Sequence, residues 1–458
     1  MKTYEILPTD ENLVQTLIDD TIGRTSDVFR FVNILNSIDC CYSIALDGRW
    51  GSGKTFFVKQ AKLVIEANNA HLSVKNADAR KKVLTSCAKF IPADRELQPQ
   101  VCVYYDAWEN DNDEDPILSL IYTILTGINS DYSFSIGKDV LSIFATIVEF
   151  LTGRNIAEIL KELRSESPLD SLKSKRELRE KVNEFFDSLL PEKGNRLIIM
   201  VDELDRCKPS YAVKLLERIK HYFTNDRITF VFSVNTYELE KTIRKYYGND
   251  FDASRYLDRF FDLHINLPPA NWKKYYESIG FSNSRYQVDI IIDAVIKEFR
   301  FELREVSKFF PKVKAAVYSE THGKTCYEYS LFGCDSLNFS LRVFVPILIG
   351  LEIHDSVQRR NFVDGKFSEP LISIAEQVDV RLFSELLADG ESFDPNDKQH
   401  KYIKLEDRLK RLYCVVFGNV LGDATPYEQV GQLTFREDIK ERIIRAAGLL
   451  TDYSDYTV

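Results

Sequence analysis

Several things are scarce in this 458-residue sequence, and each scarcity closes off a class of protein. The best membrane candidate, Val140–Leu151 (VLSIFATIVEFL), has 12 residues and carries Glu149. A membrane-spanning helix needs about 20 apolar residues, so this stretch is expected to be a buried or docking helix. The eight cysteines, at 40, 41, 87, 102, 207, 326, 334 and 414, fall into no zinc-ligand spacing. No signal peptide opens the chain. The expectation is a soluble, cytoplasmic protein with buried, reduced thiols and no membrane role. Positive charge is also short: the formal net charge is -10. That excludes a surface built throughout for nucleic acid. The basic stretch Lys173–Lys181 (KSKRELREK) is read as a solvated helix face. Internal repeats are absent, and so is the Asn-Lys-x-Asp motif with which GTPases read guanine.

What is present is ordinary globular material. The apolar fraction is 44%, the charged fraction 28% and the aromatic fraction 12%. A chain this long exceeds a single hydrophobic core, so two or three domains are expected. Apolar residues at Val28, Phe31, Val32 and Leu35 have helical spacing, and Asp27 is placed to cap a helix over Val28–Ile38. Short apolar runs bounded by turn residues predict strands at Cys41–Leu46, Val101–Tyr105, Leu197–Val201, Ile228–Val234 and Phe260–Leu267. A helix is expected to start at Pro116, behind the acidic loop ENDNDED. Residues 130–195 read as helical and polar, with turns at Ser165–Pro168 and Lys193–Asn195. Beyond residue 270 the strand signal fades, and 272–316 and 336–458 read as mainly helical, with polar breaks at Ser319–Lys324 and Gly390–Lys398. Strands alternating with helices predict a mostly parallel sheet covered on both faces.

Between the first strand and its helix lies Gly48-Arg49-Trp50-Gly51-Ser52-Gly53-Lys54-Thr55, which fits G-x-x-x-x-G-K-[ST] without departure. Glycines there let successive N–H groups turn toward phosphates, and the following helix, running on through Phe56, points its N-terminus at the same anion. Lys54 is placed to reach the β- and γ-phosphates, and Thr55 to put its hydroxyl on Mg²⁺. The second constellation is Asp202-Glu203-Leu204-Asp205-Arg206, at the end of the third strand. Asp202 is the expected metal partner, and Glu203 the base that polarises water. Asp205 and Arg206 read as an ion pair holding the strand end, with Arg206 acting across a subunit boundary as the alternative. Asn235, closing the fourth strand, is a candidate sensor of the γ-phosphate; the alternative is a cap for a helix over Tyr237–Tyr246, a task open equally to Thr236. Arg255 and Arg259 are candidate arginine fingers, Arg259 first, and Arg304 is a candidate to reach the nucleotide from the second domain.

Four segments in this order, GRWGSGKT at 48–55, VYYDAWENDNDEDPILSLI at 103–121, VDELDRCKP at 201–209 and YLDRFFDLHINLPP at 256–269, resemble the KAP family of P-loop NTPases. The resemblance covers roughly residues 15–315, with Asp106-Ala107-Trp108 as the tryptophan-bearing strand end of that family. Glu203 stands where the family usually has a second Asp, and keeps the carboxylate. Many members carry transmembrane helices between the two motifs, and bacterial members are often linked to defence against phages and plasmids.

The resemblance implies an α/β fold: a mostly parallel P-loop NTPase sheet covered by helices, followed by a mainly helical C-terminal region. The expected domains are a core over 1–270 with a helical insertion at about 130–195, a lid-like helical subdomain over 271–320, and a helical domain over 321–458. The expected ligands are ATP and Mg²⁺, and the expected partner is a second copy or an effector protein. Three activities remain open at this point: an ATPase switch, an ATP-driven motor or loader on nucleic acid, and a scaffold that holds nucleotide without hydrolysing it.

Overall fold

The computed structural model describes the chain except residues 1–5, 71–76, 91–96, 133–137, 153–167, 191–193, 279–286, 321–326, 330–335, 423–424 and 449–458. The expected turn at Ser165–Pro168 lies mostly outside the described residues, as do most of the break at Ser319–Lys324 and both Cys326 and Cys334. The chain forms two compact units, one over Ile6–Asn271 and one from Trp272 onward.

In the first unit five strands make one sheet: β1 (Tyr42–Asp47), β2 (Gln100–Asp106), β3 (Arg196–Asp202), β4 (Ile228–Val234) and β5 (Leu263–Asn266). Their order is β2-β3-β4-β1-β5, and every pairing is parallel. The third strand is buried along its whole length, as an α/β sheet with helices on both faces requires. Its alternation still sorts the core. Leu197, Ile199 and Val201 enter one apolar cluster, and Ile198 and Met200 enter the other. Register brings Asp106 beside Asp202 and Asp47 beside Val234, so the carboxyl edges line up. Ligands of open α/β sheets bind at that edge.

Helices α1 (Asp10–Ile18), α2 (Thr25–Asn36), α3 (Lys54–Asn68) and α4 (Ala77–Phe90) contribute to one apolar cluster. The other draws on α5 (Pro116–Tyr132), α6 (Lys138–Thr152), α7 (Pro168–Leu189), α8 (Pro209–Tyr222), α9 (Thr236–Tyr247) and α10 (Ala253–Leu257). α5 begins at Pro116 as expected, capped by Asp115 Oδ1 on the Ile117 amide at 2.9 Å. Within α6, Val140 and Ile147 are buried. The basic stretch lies in α7, where Arg179 and Glu180 are exposed.

Three local readings are corrected. α2 starts a turn early, because the carboxylate of Asp20 takes the Thr25 amide at 3.0 Å; Asp27 sits inside the first turn rather than capping it. The fifth strand is shorter than its apolar run, because Phe260 and Phe261 turn into the core after α10 and only then does the chain pair with β1. The thiols are not uniformly buried: Cys40 and Cys414 are exposed, whereas Cys87, Cys102 and Cys207 are buried.

The second unit contains α11 (Trp272–Ser278), α12 (Gln287–Glu298), α13 (Leu303–Val317), α14 (Ser336–His354), α15 (Ser356–Val363), α16 (Glu369–Glu376), α17 (Leu405–Phe417) and α18 (Ile439–Ala447). Three two-stranded pairings interrupt the helices, at Tyr318–Glu320 with Tyr327–Tyr329, Glu391–Ser392 with Lys401–Tyr402, and Tyr427–Val430 with Leu433–Arg436. Its central helix is α14, with every residue from Asn338 to Leu351 buried. Among the described residues α14 is the one helix long and apolar enough to cross a membrane, at mean hydropathy 1.5, rather than the stretch near 140–151. It is a core helix here: 78% of it is buried within the protein, and Arg342 on it pairs with Glu385 at 2.6 Å.

Candidate phosphate-binding site

The first glycine-rich loop leaves β1 and is tied down at its root. The Gly48 amide donates to the Val234 carbonyl at 3.1 Å, the Thr236 amide to Asp47 Oδ1 at 2.7 Å, and the Leu267 amide to the Asp47 carbonyl at 2.7 Å. A Cβ at Gly48 would stand 3.0 Å from Ser52 Oγ and 3.2 Å from Leu267 Cβ, so a larger residue would push on the loop's own side chains. Gly53 has φ 91°, a left-handed conformation that favours glycine, and α3 starts directly after it without a side-chain cap. Arg24, itself buried, donates from Nη1 to the Ser52 carbonyl at 2.7 Å and braces the loop from behind.

The loop then meets the acidic motif. Thr55 Oγ1 donates to Asp202 Oδ2 at 2.7 Å, linking the end of the phosphate loop to the tip of β3. Tyr104, on β2, donates its hydroxyl to the same oxygen at 3.0 Å, and Lys59 lies over its ring at 4.4 Å. The Glu203 amide donates to Asp202 Oδ1 at 3.0 Å. Asp202 is 1% exposed, and its two oxygens accept from Thr55, Tyr104 and the Glu203 amide. Lys54 Nζ donates to the carbonyls of Gly48 at 2.6 Å and Arg49 at 3.3 Å. Its ammonium is buried, and burial pulls its pKa down, against the pull of Asp205, Asp202 and Glu203.

Glu203 has φ 60°, a left-handed backbone rare for a residue with a side chain. Burial raises its pKa to about 7, Asp202 adds to the rise, and Arg206 opposes it. Burial also raises Asp205, against the opposing charge of Lys54 and a hydrogen bond from Trp50. The expected Asp205–Arg206 ion pair does not form. Asp205 instead accepts from Trp50 Nε1 at 2.5 Å, and Arg206 Nε pairs with Glu203 Oε2 at 2.6 Å. The reason is the tight turn over Leu204–Arg206, which points the neighbouring side chains apart and returns Arg206 toward Glu203.

These residues fit the phosphates of a nucleotide with a divalent cation. The buried Ser52 Oγ has no partner among the described residues, the uncapped N-terminus of α3 opens on the loop, and the Lys54 ammonium is spent on the loop's own carbonyls. Such a set suits an anion.

The remaining candidates are placed as follows. Arg49 is exposed, and Phe56 is half-buried on the first turn of α3. Asn235 caps α9, accepting the Glu238 amide at 3.4 Å. Arg255 and Arg259 are exposed after α9. Arg304 is exposed on α13 in the second unit. Arg24 and Tyr104 belong to the site but carried no signal, because each acts through a partner distant in sequence, whereas Trp108 at its rim was marked by the family resemblance alone.

A search of the curated proteins returns no match. The solved structure of the Aeropyrum Pernix ORC2 protein (ADPNP-ADP complexes) is similar over 79% of this chain and 69% of its own, at 16% identity and TM-score 0.26. A likeness that low carries no argument. The family described as the KAP family P-loop domain matches residues 30–277, more than half of the chain. That span holds the phosphate loop, Tyr104 on β2, Trp108 just beyond it, and the acidic motif. The chain belongs to the KAP family of P-loop NTPases.

Proposed function

We propose that the chain binds ATP with Mg²⁺ and hydrolyses it, and that turnover is a switch governing its assembly with a second copy or an effector protein. The observation that carries this reading is the 2.7 Å bond from Thr55 to Asp202, which joins two motifs far apart in sequence at one point. A bound Mg²⁺ would lend positive charge to the β- and γ-phosphate oxygens, and Thr55 and Asp202 are the residues that would hold it. Gly48 to Thr55 cradle the phosphates with main-chain N–H groups. Lys54 turns from the loop carbonyls to the β- and γ-oxygens. Glu203 accepts the proton of the attacking water; a base with a pKa of about 7 suits that task near neutral pH. In this reading Asn235 senses the γ-phosphate, Arg259 completes the site of a neighbouring copy, and Arg304 closes on the nucleotide. The exposure of Arg259 is what a finger offered to a neighbour requires. Retention of both Lys54 and Glu203 favours hydrolysis over a passive scaffold, and the net charge of -10 disfavours a nucleic-acid motor. We place the switch in bacterial anti-phage defence, in the cytoplasm, on family membership alone.

The test is phosphate release from ATP over a range of protein concentrations, with Lys54→Ala and Arg259→Ala beside the wild type. Specific activity should rise with concentration, and both variants should lose it. A wild type that binds ATP yet releases no more phosphate than Lys54→Ala makes the chain a scaffold. Turnover that requires added DNA or RNA makes it a motor.

A further inference from the structure

Two of the three tryptophans stand in solvent at the rim of the site, Trp50 46% and Trp108 53% exposed. Rings left this open add little to a core, so a role for them has to lie in what their faces touch. Both faces meet one group. The Arg206 guanidinium carbon lies 5.8 Å from the Trp50 ring centre and 5.8 Å from that of Trp108. We propose that Arg206, gripped between Trp50 and Trp108, is a positioning residue that sets the Glu203 carboxylate for attack by water. The proposal rests on the reading of Glu203 as the base.

Trp50 is anchored through its ring and Trp108 through its main chain. Trp50 Nε1 donates to Asp205, which is 4% exposed, at 2.5 Å. Trp108 is held by its backbone: Asp106 Oδ1 accepts the amides of Trp108 at 3.1 Å and Glu109 at 3.0 Å. The loop beyond is fastened to the start of α8, where the Lys208 amide donates to Asp111 Oδ2 at 3.1 Å and Lys208 also bonds Asn112. The two rings thus come from separate loops, each with hydrogen bonds of its own besides the contact with Arg206.

Glu203 is fixed along its main chain too. Its amide donates to Asp202 Oδ1, and its carbonyl accepts the Arg206 amide at 3.1 Å. The direction of its side chain is then set by one contact, Arg206 Nε to Oε2 at 2.6 Å. Oε1 has no hydrogen-bond partner among the described residues, which leaves one carboxylate oxygen for water. Guanidinium suits the post because its plane stacks on aromatic faces while its edge donates to a carboxylate; an ammonium cannot do both. Misplacing a reacting group by about 1 Å can cost on the order of a hundredfold in rate.

The experiment uses the full chain, with single-turnover phosphate release and equilibrium binding of ATP in Mg²⁺ measured on each variant. Wild type against Glu203→Gln is read first. Equal rates there overturn the base assignment and this proposal with it. Given a dead Glu203→Gln, Arg206→Ala should slow release by about tenfold or more while ATP affinity stays within about threefold. Arg206→Lys should recover little of that rate. Trp108→Ala should slow release several-fold, and Trp108→Phe should restore it to within about twofold, because phenylalanine keeps an aromatic face. Wild-type release from Arg206→Ala overturns the proposal. Faster release overturns it also and makes Arg206 a restraint. Rate, ATP affinity and melting temperature falling together in Arg206→Ala, with no recovery by Trp108→Phe, reduces the stack to a structural prop.

Discussion

Two buried polar places in this protein are built to opposite rules. In the C-terminal unit, Arg342 on α14 meets Glu385 at 2.6 Å, and the pair is complete in itself. In the nucleotide unit, Lys54, Asp202, Glu203 and Asp205 crowd one strand edge, and burial moves Lys54 down and Glu203 up from their ordinary values. The first arrangement spends its charges on each other and so stabilises a fold. The second holds charges in unfavourable states that a bound phosphate and cation would relieve. Polar burial alone does not mark a site; polar burial left unresolved does.

Breaking the unresolved site should change chemistry and spare the fold. Thr55→Ala removes the hydroxyl that joins the two motifs, and phosphate release should fall by about a hundredfold or more, the scale seen when one transition-state contact is lost. Melting temperature should move little. Intact release from this variant would deny the Thr55–Asp202 pair its assigned role.

Breaking the resolved pair should do the reverse. Arg342→Ala leaves Glu385 without its partner, at a cost of about 3 kcal/mol, because the two side chains are only 10% and 19% exposed. Denaturation should report the loss in the C-terminal unit, while ATP binding persists. Loss of ATP binding at unchanged stability would show that the contrast between the units is misdrawn.

The pH dependence sharpens the contrast further. The folded pKa of Glu203 is raised to about 7 from an ordinary 4.5, so the folded protein keeps a proton that the unfolded chain has already shed between those values. Stability from this residue therefore falls as pH rises through that window, and the full penalty stands above it. Glu203→Gln removes the charge, so it should be more stable than wild type at pH 8, by at most about 3 kcal/mol. The gain should vanish below pH ~4.5, where both states of Glu203 are protonated. Thermal melts of both proteins across pH decide it, and a variant less stable than wild type at pH 8 would contradict the account.

The smallest effect is expected at Asn235. As a cap for α9 it contributes about 1 kcal/mol, and Asn235→Ala should lose that. If release falls more than about tenfold as well, Asn235 also serves the nucleotide.

The legible parts of this molecule are those where local pattern and chemistry coincide. The phosphate loop lies between a buried strand and a helix in sequence as in space, and Ile228–Val234 has the predicted ends because its whole length is buried. Asp202 and Glu203 follow from their place at the tip of a strand. Arg24 and Tyr104 were illegible because their partners, Ser52 and Asp202, are close only after folding. The Arg206–Glu203 pairing was misread because the tight turn over Leu204–Arg206 is too short to leave a periodic signal. In the C-terminal unit the paired strands are two to four residues long, below the length at which alternation is readable. Sequence order also says nothing of neighbours in the sheet: β4, fourth of its five strands in sequence, lies between β1 and β3.

The central claim is that this is a hydrolytic site whose base is Glu203. Single-turnover phosphate release by Glu203→Gln, measured beside its affinity for ATP in Mg²⁺, tests it most directly. The account predicts ATP binding at wild-type strength or tighter with release slowed by about a hundredfold or more. Release at the wild-type rate would contradict it and return the acidic motif to a purely structural role.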